Sequence, residues 1–292
     1  MSKQKFLFIV NPNSGIGKYK KLEKLLSKEV DVDKFQYNIV YTEFAGHAKE
    51  IAKKSSNNYD VIVAVGGDGS INEAAQGLIE GNAALGIIPV GSGNGLARSL
   101  KIPLSIKKAI QTLFTANQRK IDIVRINDEY FFNVGGIGFD ASIGHLFDNT
   151  DKRGFLTYLK IVFKAYFSYQ SGNYDLIIDG NRRKIHAFLI SFANSNQWGN
   201  NFYISPLSKI EDGKFEVCVL KPFSLFYAPI IAFALFSKTI HKLSKADFYS
   251  AKTVVVKNSE KLQFHIDGEP KTTTSDLKIE VIPRALNVIT PL

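Results

Sequence analysis

The stretch Val61-Ile62-Val63-Ala64-Val65-Gly66-Gly67-Asp68-Gly69-Ser70 decides the first half of the fold. An unbroken apolar run rich in β-branched residues reads as a strand buried on both faces, the pattern of a parallel sheet. Ser70 to Glu80 then reads as a helix. Glycines after a buried strand let the backbone approach a phosphate with no Cβ in the way, and the N-terminus of the following helix favours an anion. Asp68 sits badly beside bare phosphates, so its presence points to Mg²⁺ bridging a nucleotide. A tight turn with an ordinary turn aspartate has the same sequence. Asn72 and Glu73 open the helix, and Glu73 is favourable near a helix N-terminus whatever the function.

The same grammar repeats on either side. Phe6-Leu7-Phe8-Ile9-Val10 reads as a buried strand followed by the turn Asn11-Pro12-Asn13-Ser14-Gly15, and Tyr19 to Val30 carries Leu22, Leu25 and Leu26 at helical spacing. Tyr37 to Thr42 reads as a strand and His47 to Lys54 as a helix. Leu85 to Val90 is a further buried strand, and Gly91-Ser92-Gly93-Asn94-Gly95 turns into a helix at Leu96 to Leu100. Strand, turn and helix in alternation predict an open parallel α/β sheet. Ligands bind such sheets beyond the C-terminal strand ends, where the turns 11–15, 66–69 and 91–95 converge.

After about Asp122 the pattern changes. Segments 121–126, 130–134, 174–179, 184–193, 214–220, 252–256, 262–266 and 277–282 read as short strands bounded by turn residues, interrupted by a helix over Phe155 to Tyr169. This half predicts an antiparallel sandwich or barrel. The expected division is therefore a nucleotide-binding α/β domain over 1–122 and a β-rich domain over 123–282.

Composition sets outer limits. The 292 residues are 45% hydrophobic and 22% charged, as in folded globular chains. A net charge of +10 favours anionic partners such as acidic lipid, phosphates or nucleic acid. Nucleic acid is the weaker choice, since the chain has neither a zinc-binding Cys/His set nor an aromatic RNA-binding motif. The one cysteine, Cys218, excludes an internal disulfide framework and reads as a buried thiol. The apolar run Phe6 to Val10 is too short for a signal-peptide core. Pro222 to Ile240, interrupted by Pro229, reads as a buried or interfacial helix and not as a membrane span.

Other stretches are less specific alone. Asn13-Ser14-Gly15-Ile16-Gly17-Lys18 lacks the glycine spacing and the hydroxyl residue after lysine that a P-loop requires. Asp267-Gly268-Glu269 is a hairpin-turn signal. Its two carboxylates also suit a general base for a hydroxyl and a partner that orients it or holds metal. His265 reads as a strand residue, and Asp212-Gly213 as a plain hairpin turn.

Taken in order, the motifs resemble the diacylglycerol kinase catalytic family, which includes bacterial lipid kinases and sphingosine and ceramide kinases. They are Asn11 to Gly15; Tyr41-Thr42-Glu43 with Gly46-His47-Ala48; Gly66 to Glu73; Pro89 to Arg98; Asn133-Val134-Gly135-Gly136-Ile137-Gly138-Phe139-Asp140; Asp212-Gly213; and Asp267-Gly268-Glu269-Pro270. The resemblance implies two domains with the active site in the cleft and the extreme C-terminus, about 283–292, packed back on the first domain. It implies ATP at Asn11, Pro12, Asn13, Ser14, Gly15, Thr42, Gly66, Gly67, Asp68, Gly69, Ser70, Ile71, Asn72, Glu73 and Ser92. It also implies Glu269 as base on a lipid hydroxyl, with Asp267 and Asp68 close to the Mg²⁺ network. A second, structural Mg²⁺ is implied at the Asp212 side chain and the backbone carbonyls of Lys209 and Lys214.

Three positions depart from the bacterial pattern. Ser70 and Ser92 stand where threonine is common and keep the hydroxyl. Gly95 stands where many bacterial members carry an aspartate of the metal network, and the Gly-Ser-Gly-Asn version looks more like sphingosine and ceramide kinases. The function expected is an ATP-dependent lipid kinase acting on diacylglycerol or a related lipid such as a sphingoid base. The expected setting is cytoplasmic, on the surface of an anionic membrane, with no nucleic acid partner and a homodimer as an option. The alternatives are a phosphotransferase like NAD kinase, which shares the Gly-Gly-Asp-Gly turn, and an inactive lipid- or nucleotide-binding regulator, for which Gly95 is the one argument.

Overall fold

The computed structural model describes residues 3–115, 117–148, 155–258 and 260–291. The chain forms two compact units, one running to Asp122 and resuming at Pro283, the other spanning Ile123–Ile282.

The first unit contains β1 (Gln4–Val10), α1 (Leu22–Glu29), β2 (Phe35–Tyr41), α2 (His47–Ser55), β3 (Val61–Gly66), α3 (Asp68–Leu78), β4 (Ala84–Pro89), α4 (Gly95–Ser99) and α5 (Ile106–Thr115). A short 3-10 segment, Gly15–Lys21, precedes α1. The parallel strands lie in the order β2-β1-β3-β4. Every residue of β3 and β4 is buried, so their unbroken apolar runs follow from helices covering both faces.

The second unit is antiparallel. The chain enters it along β5 (Asn117–Ile126) and continues through β6 (Glu129–Phe131), β7 (Val134–Gly138), α6 (Phe139–Asp148), α7 (Phe155–Ser168), β8 (Gly172–Ile178), β9 (Asn181–Ala187) and β10 (Leu189–Ala193). It then forms β11 (Phe215–Leu220), α8 (Ala228–Phe236), β12 (Ala246–Ala251), β13 (Thr253–Lys257), β14 (Leu262–Ile266), β15 (Glu269–Thr273) and β16 (Leu277–Thr290). One sheet runs β12-β11-β10-β7-β14-β15, and the other contains β16-β13-β8-β9 with β5 and β6. Their facing sides form one core, in which Phe131, Ile137, Phe192, Phe215, Leu176, Val254 and Leu277 are buried together. Each large side chain there contributes about 1.5–3 kcal/mol by leaving water. β16 continues past Ile282, and Val288 pairs in parallel with Leu85 of β4.

The segment 184–193 proves to be parts of two strands in different sheets, β9 and β10. Phe188 between them is buried, and its amide donates to the Leu220 carbonyl. No turn residue stands between Ala187 and Leu189 to mark the change of sheet. Helices α5 and α6 and strands β12 and β15 were not read as elements, 130–134 covers the end of β6 and only the first residue of β7, and 277–282 is only the start of a long β16. Pro222 to Ile240 holds one nine-residue helix, α8. Among the described residues no helix is long and apolar enough to cross a membrane.

Cys218 is buried on the face of β11 that meets α8, and burial pushes its thiol pKa up. A disulfide reagent should therefore modify the native chain roughly 10³-fold more slowly than the unfolded chain, followed by release of thionitrobenzoate. Equal rates would contradict this packing.

Candidate active site

The strand order 2-1-3-4 reverses direction between β1 and β3. That switch point opens a crevice at the C-terminal edge of an α/β sheet, where the loops leave in opposite directions. Here it holds a cavity of about 350 Å³ lined by Asn11, Asn13, Ser14, Thr42, Glu43, Phe44, Ala45, Gly67, Gly69, Ser70 and Glu73. The first-turn amides of α3 lack intrahelical acceptors, and no side chain caps this helix. Amides so placed can donate to an anionic oxygen. Asn11 Nδ2 donates to Ser70 Oγ at 2.9 Å and Asn11 Oδ1 accepts from the Asn13 amide at 2.9 Å, so the first and third loops are held in one arrangement.

The ATP positions implied by the resemblance separate here. Asn11, Asn13, Ser14, Thr42, Gly67, Gly69, Ser70 and Glu73 line the cavity, while Pro12, Gly15, Gly66, Asp68, Ile71, Asn72 and Ser92 do not. Ile71 is core. Asn72 Oδ1 accepts from Gln76 within the helix. Glu73 also accepts from the Ala48 amide at 3.2 Å, joining α3 to α2. Phe44 was missed. Its exposed ring stacks on His47 with centroids 4.5 Å apart and planes within 4°, making a flat platform at the cavity edge suited to a nucleotide base. Only an aromatic beside Thr42-Glu43 signalled it.

Asp68 starts α3 and faces the neighbouring loop. Its Oδ1 accepts from the Gly95 amide at 2.7 Å and its Oδ2 from the Asn94 amide at 2.8 Å. The two glycine turns touch: a Cβ on Gly91 would stand 2.7 Å from Gly67 Cα, which only glycine avoids. Burial raises the Asp68 pKa above the ordinary carboxylate value, against the pull of the Gly95 and Asn94 amides and of Arg98. By linkage this carboxyl favours folding most below its unfolded pKa, and the advantage is lost as pH rises through the folded value. A bound cation would favour the ionised form. The Asp68 carboxylate also accepts from its own amide, and the buried Asn94 Oδ1 has no hydrogen-bond partner. These hard oxygens fit Mg²⁺ held mainly by nucleotide phosphates and water, its usual mode. Among the described residues no three or more His, Cys, Asp or Glu side chains gather as a self-sufficient metal site. At the 209–214 turn, which carries Glu211 and Asp212, the Lys214 amide donates to Asp212 Oδ1 at 3.1 Å.

In the second unit, Asp267 and Gly268 form the β14–β15 turn with φ of 48° and 89°, the primed geometry for which Asp-Gly is suited. The Asp267 carboxylate turns inward. Oδ1 accepts from the amides of Asn133 and Val134, each at 2.9 Å, and Oδ2 from Phe132 at 3.0 Å. His265 lies buried beneath the turn, with Nε2 3.1 Å from Asp140 Oδ2 and Nδ1 accepting from the Gly268 amide at 3.4 Å. Ser191 Oγ and the Ala141 amide complete the shell of Asp140. A Cβ on Gly136 would stand 2.6 Å from Asp140 Oδ2, so the glycine of the 133–140 motif makes room for this pair. Sequence reasoning placed His265 correctly in a strand but missed its bond to Asp140, 125 residues away.

Glu269 differs. Its side chain is 71% exposed, with Oε1 3.4 Å from Lys271 Nζ, which also pairs with Glu129 at 2.9 Å. Burial pulls the Lys271 pKa down, but Glu129 and Glu269 more than offset it. Asp68 and Asp267 are thus bound to backbone amides, while Glu269 presents its carboxylate outward.

Residues 5–126 match the family described as diacylglycerol kinase catalytic domain, and residues 133–290 the YegS C-terminal NAD kinase beta sandwich-like domain. A diacylglycerol kinase of Bacillus subtilis (strain 168) is 32% identical over 270 residues, covering 89% of this chain and 88% of the relative. The chain belongs to the diacylglycerol kinase family. A diacylglycerol kinase of Staphylococcus saprophyticus is 28% identical over 89% of this chain and 87% of its own length. A crystal structure of a diacylglycerol kinase from Bacillus anthracis str. Sterne superposes with a TM-score of 0.77 at 22% identity, covering 99% of this chain and 98% of that one, a likeness of fold. Membership of the diacylglycerol kinase family makes the chain a kinase.

Proposed function

We propose that the chain transfers the γ-phosphoryl group of ATP to the hydroxyl of a lipid, diacylglycerol or a related lipid such as a sphingoid base. The observation that carries this reading is Glu269, the one outward carboxylate on a hairpin held rigid from below by Asp267 and His265. We read the first unit as the nucleotide domain and the second as the acceptor domain.

In this reading the α3 amides and the Asn11-oriented Ser70 hydroxyl hold phosphate oxygens, and Phe44 carries the base. Mg²⁺, when bound, offsets charge on the transferring group, with Asp68 as its protein ligand. Glu269 accepts the proton of the lipid hydroxyl as its oxygen bonds to phosphorus and the bond to the ADP oxygen breaks, leaving ADP with the electron pair. In the same reading the Asp212 side chain and the carbonyls of Lys209 and Lys214 would hold a second, structural Mg²⁺. The basic chain works in the cytoplasm at the surface of an anionic membrane, where each lysine or arginine contributes about 1 kcal/mol.

The name of the second matched family gives NAD a specific claim as the other acceptor. Incubation with γ-labelled ATP and either a total lipid extract or NAD separates the two. Label is expected in a lipid, identified by mass spectrometry, and not in NAD. Label in NAD alone would overturn the proposal. Tight ATP binding with no transfer to either would favour a non-catalytic regulator.

A further inference from the structure

The second unit carries an apolar surface suited to a lipid bilayer. Helix α8 has no polar side chain. Ile231, Ala234 and Leu235 are buried against the sheet that contains β11. On the other side Phe233 is 72% exposed, Ile230 and Phe236 are also exposed, and Phe226 in the preceding turn is 93% exposed. The spacing 226, 230, 233 lies along one face, where an ordinary surface helix is polar.

Helix α7 extends the patch. Tyr166 Oη donates to the Phe223 carbonyl at 2.6 Å, tying α7 to the segment that leads into Phe226. Phe163 and Phe167 are exposed on α7 with rings 5.2 Å apart. The side chains of 155–161 lie outside the described residues. Among the described residues the exposed phenylalanines are Phe44, Phe163, Phe167, Phe226, Phe233 and Phe236. All but Phe44, which lines the nucleotide cavity, belong to these two segments.

Charge selects the occupant. No aspartate or glutamate occurs from Val217 to Ala246, while Lys238, Lys242 and Lys245 do, and Lys221 is paired with Asp247 at 2.8 Å. Lys238 closes α8 with φ 61°, a left-handed position that glycine ordinarily takes, and its Nζ lies 4.4 Å from the centroid of the Tyr203 ring. A second copy of the chain pairing through this surface would bring these lysines towards one another, whereas an anionic bilayer complements them.

We infer that the Phe226–Phe236 segment, flanked by Phe163 and Phe167, is the membrane-docking face. Phe226, Ile230 and Phe233 enter the boundary between headgroups and acyl chains, and Lys238 and Lys242 remain among anionic headgroups. The inference rests on the lipid-acceptor reading and gives it a place and an orientation.

The test is cosedimentation of the full chain with phosphatidylglycerol/phosphatidylcholine vesicles and with phosphatidylcholine alone. The wild type should prefer anionic vesicles. Phe226→Ser with Phe233→Ser should weaken partition by about tenfold or more, and Lys238→Glu with Lys242→Glu by a similar factor that high salt removes. A Phe226→Trp variant should be quenched by acyl-brominated lipid beyond the baseline from Trp198, the only native tryptophan. Melting temperatures should stay at the wild-type value, since these side chains are exposed. Wild-type partition by the folded double phenylalanine variant would overturn the assignment. So would a dimer that this variant dissociates, with no vesicle binding by the wild type. Phosphorylation of a water-soluble short-chain diacylglycerol separates the two readings. The phenylalanine variants should retain it, and a wild type that binds vesicles but phosphorylates no lipid would overturn the acceptor reading while the docking face stands.

Discussion

Glu269→Gln is expected to lower kcat by about 10²–10⁴-fold while ATP affinity stays within a factor of two or so. Glutamine keeps the size of the side chain and an oxygen that can face Lys271, 3.4 Å from Glu269 Oε1 in the native chain. It cannot take a proton. The loss should therefore fall on the chemical step and lower kcat and kcat/KM together, the signature of an interaction made in the transition state alone. Titration calorimetry with Mg·ATP supplies the binding half of the test. The measured variant should melt with the wild type, because the side chain is largely exposed and outside the network beneath the turn. Retention of most lipid kinase activity would remove Glu269 from the mechanism and leave the proton to another acceptor.

The parts of this site that were legible in the sequence are those whose cause is local. Val61 to Val65 followed by two glycines and an aspartate admits few structures, and the turn and the helix after it follow from adjacent residues. The alternation of such units identified the parallel sheet, but strand order did not follow from it. The switch point between β1 and β3 is set by which strands pair, and pairing is a long-range choice. Helix α5 had a readable signal, with Ala109, Ile110 and Leu113 on its buried face, and was passed over. Strand β15, Glu-Pro-Lys-Thr-Thr, has none, since it owes its pairing to β14 across the turn. The roles of the carboxylates were the least legible. Asp-Gly-Glu announces a turn and an acid, but which carboxylate faces inward depends on the amides of Phe132, Asn133 and Val134, far upstream. For the same reason Asp68 read as a metal ligand, with no sign that it also pins the amides of Asn94 and Gly95.

Asp267→Ala is expected to destabilise the chain by about 3–5 kcal/mol and to lower the melting temperature of the second unit by roughly 10 °C or more. Three backbone amides lose their acceptor at once. A buried donor left unpaired costs about 1–3 kcal/mol, and hydrogen bonds to a charged group lie at the upper end. The turn is only half-buried, so water can satisfy part of the loss, which is why the expected sum falls below three full penalties. Alanine also has to hold φ near 48°, a left-handed conformation costing an L-residue about 1–2 kcal/mol. Asp267→Asn tolerates that conformation and keeps one oxygen, so it should lose about half as much. The order wild type, Asn, Ala in differential scanning calorimetry is the structural signature. Activity in the Asn variant should fall less than in Glu269→Gln, because the turn survives and the proton acceptor is untouched. The opposite pattern, with melting unchanged and kcat lower than in Glu269→Gln, would make Asp267 the base and reduce Glu269 to a neighbour of Lys271. Comparing the two variants thus tests whether the inward carboxylate is a strut and the outward one the base.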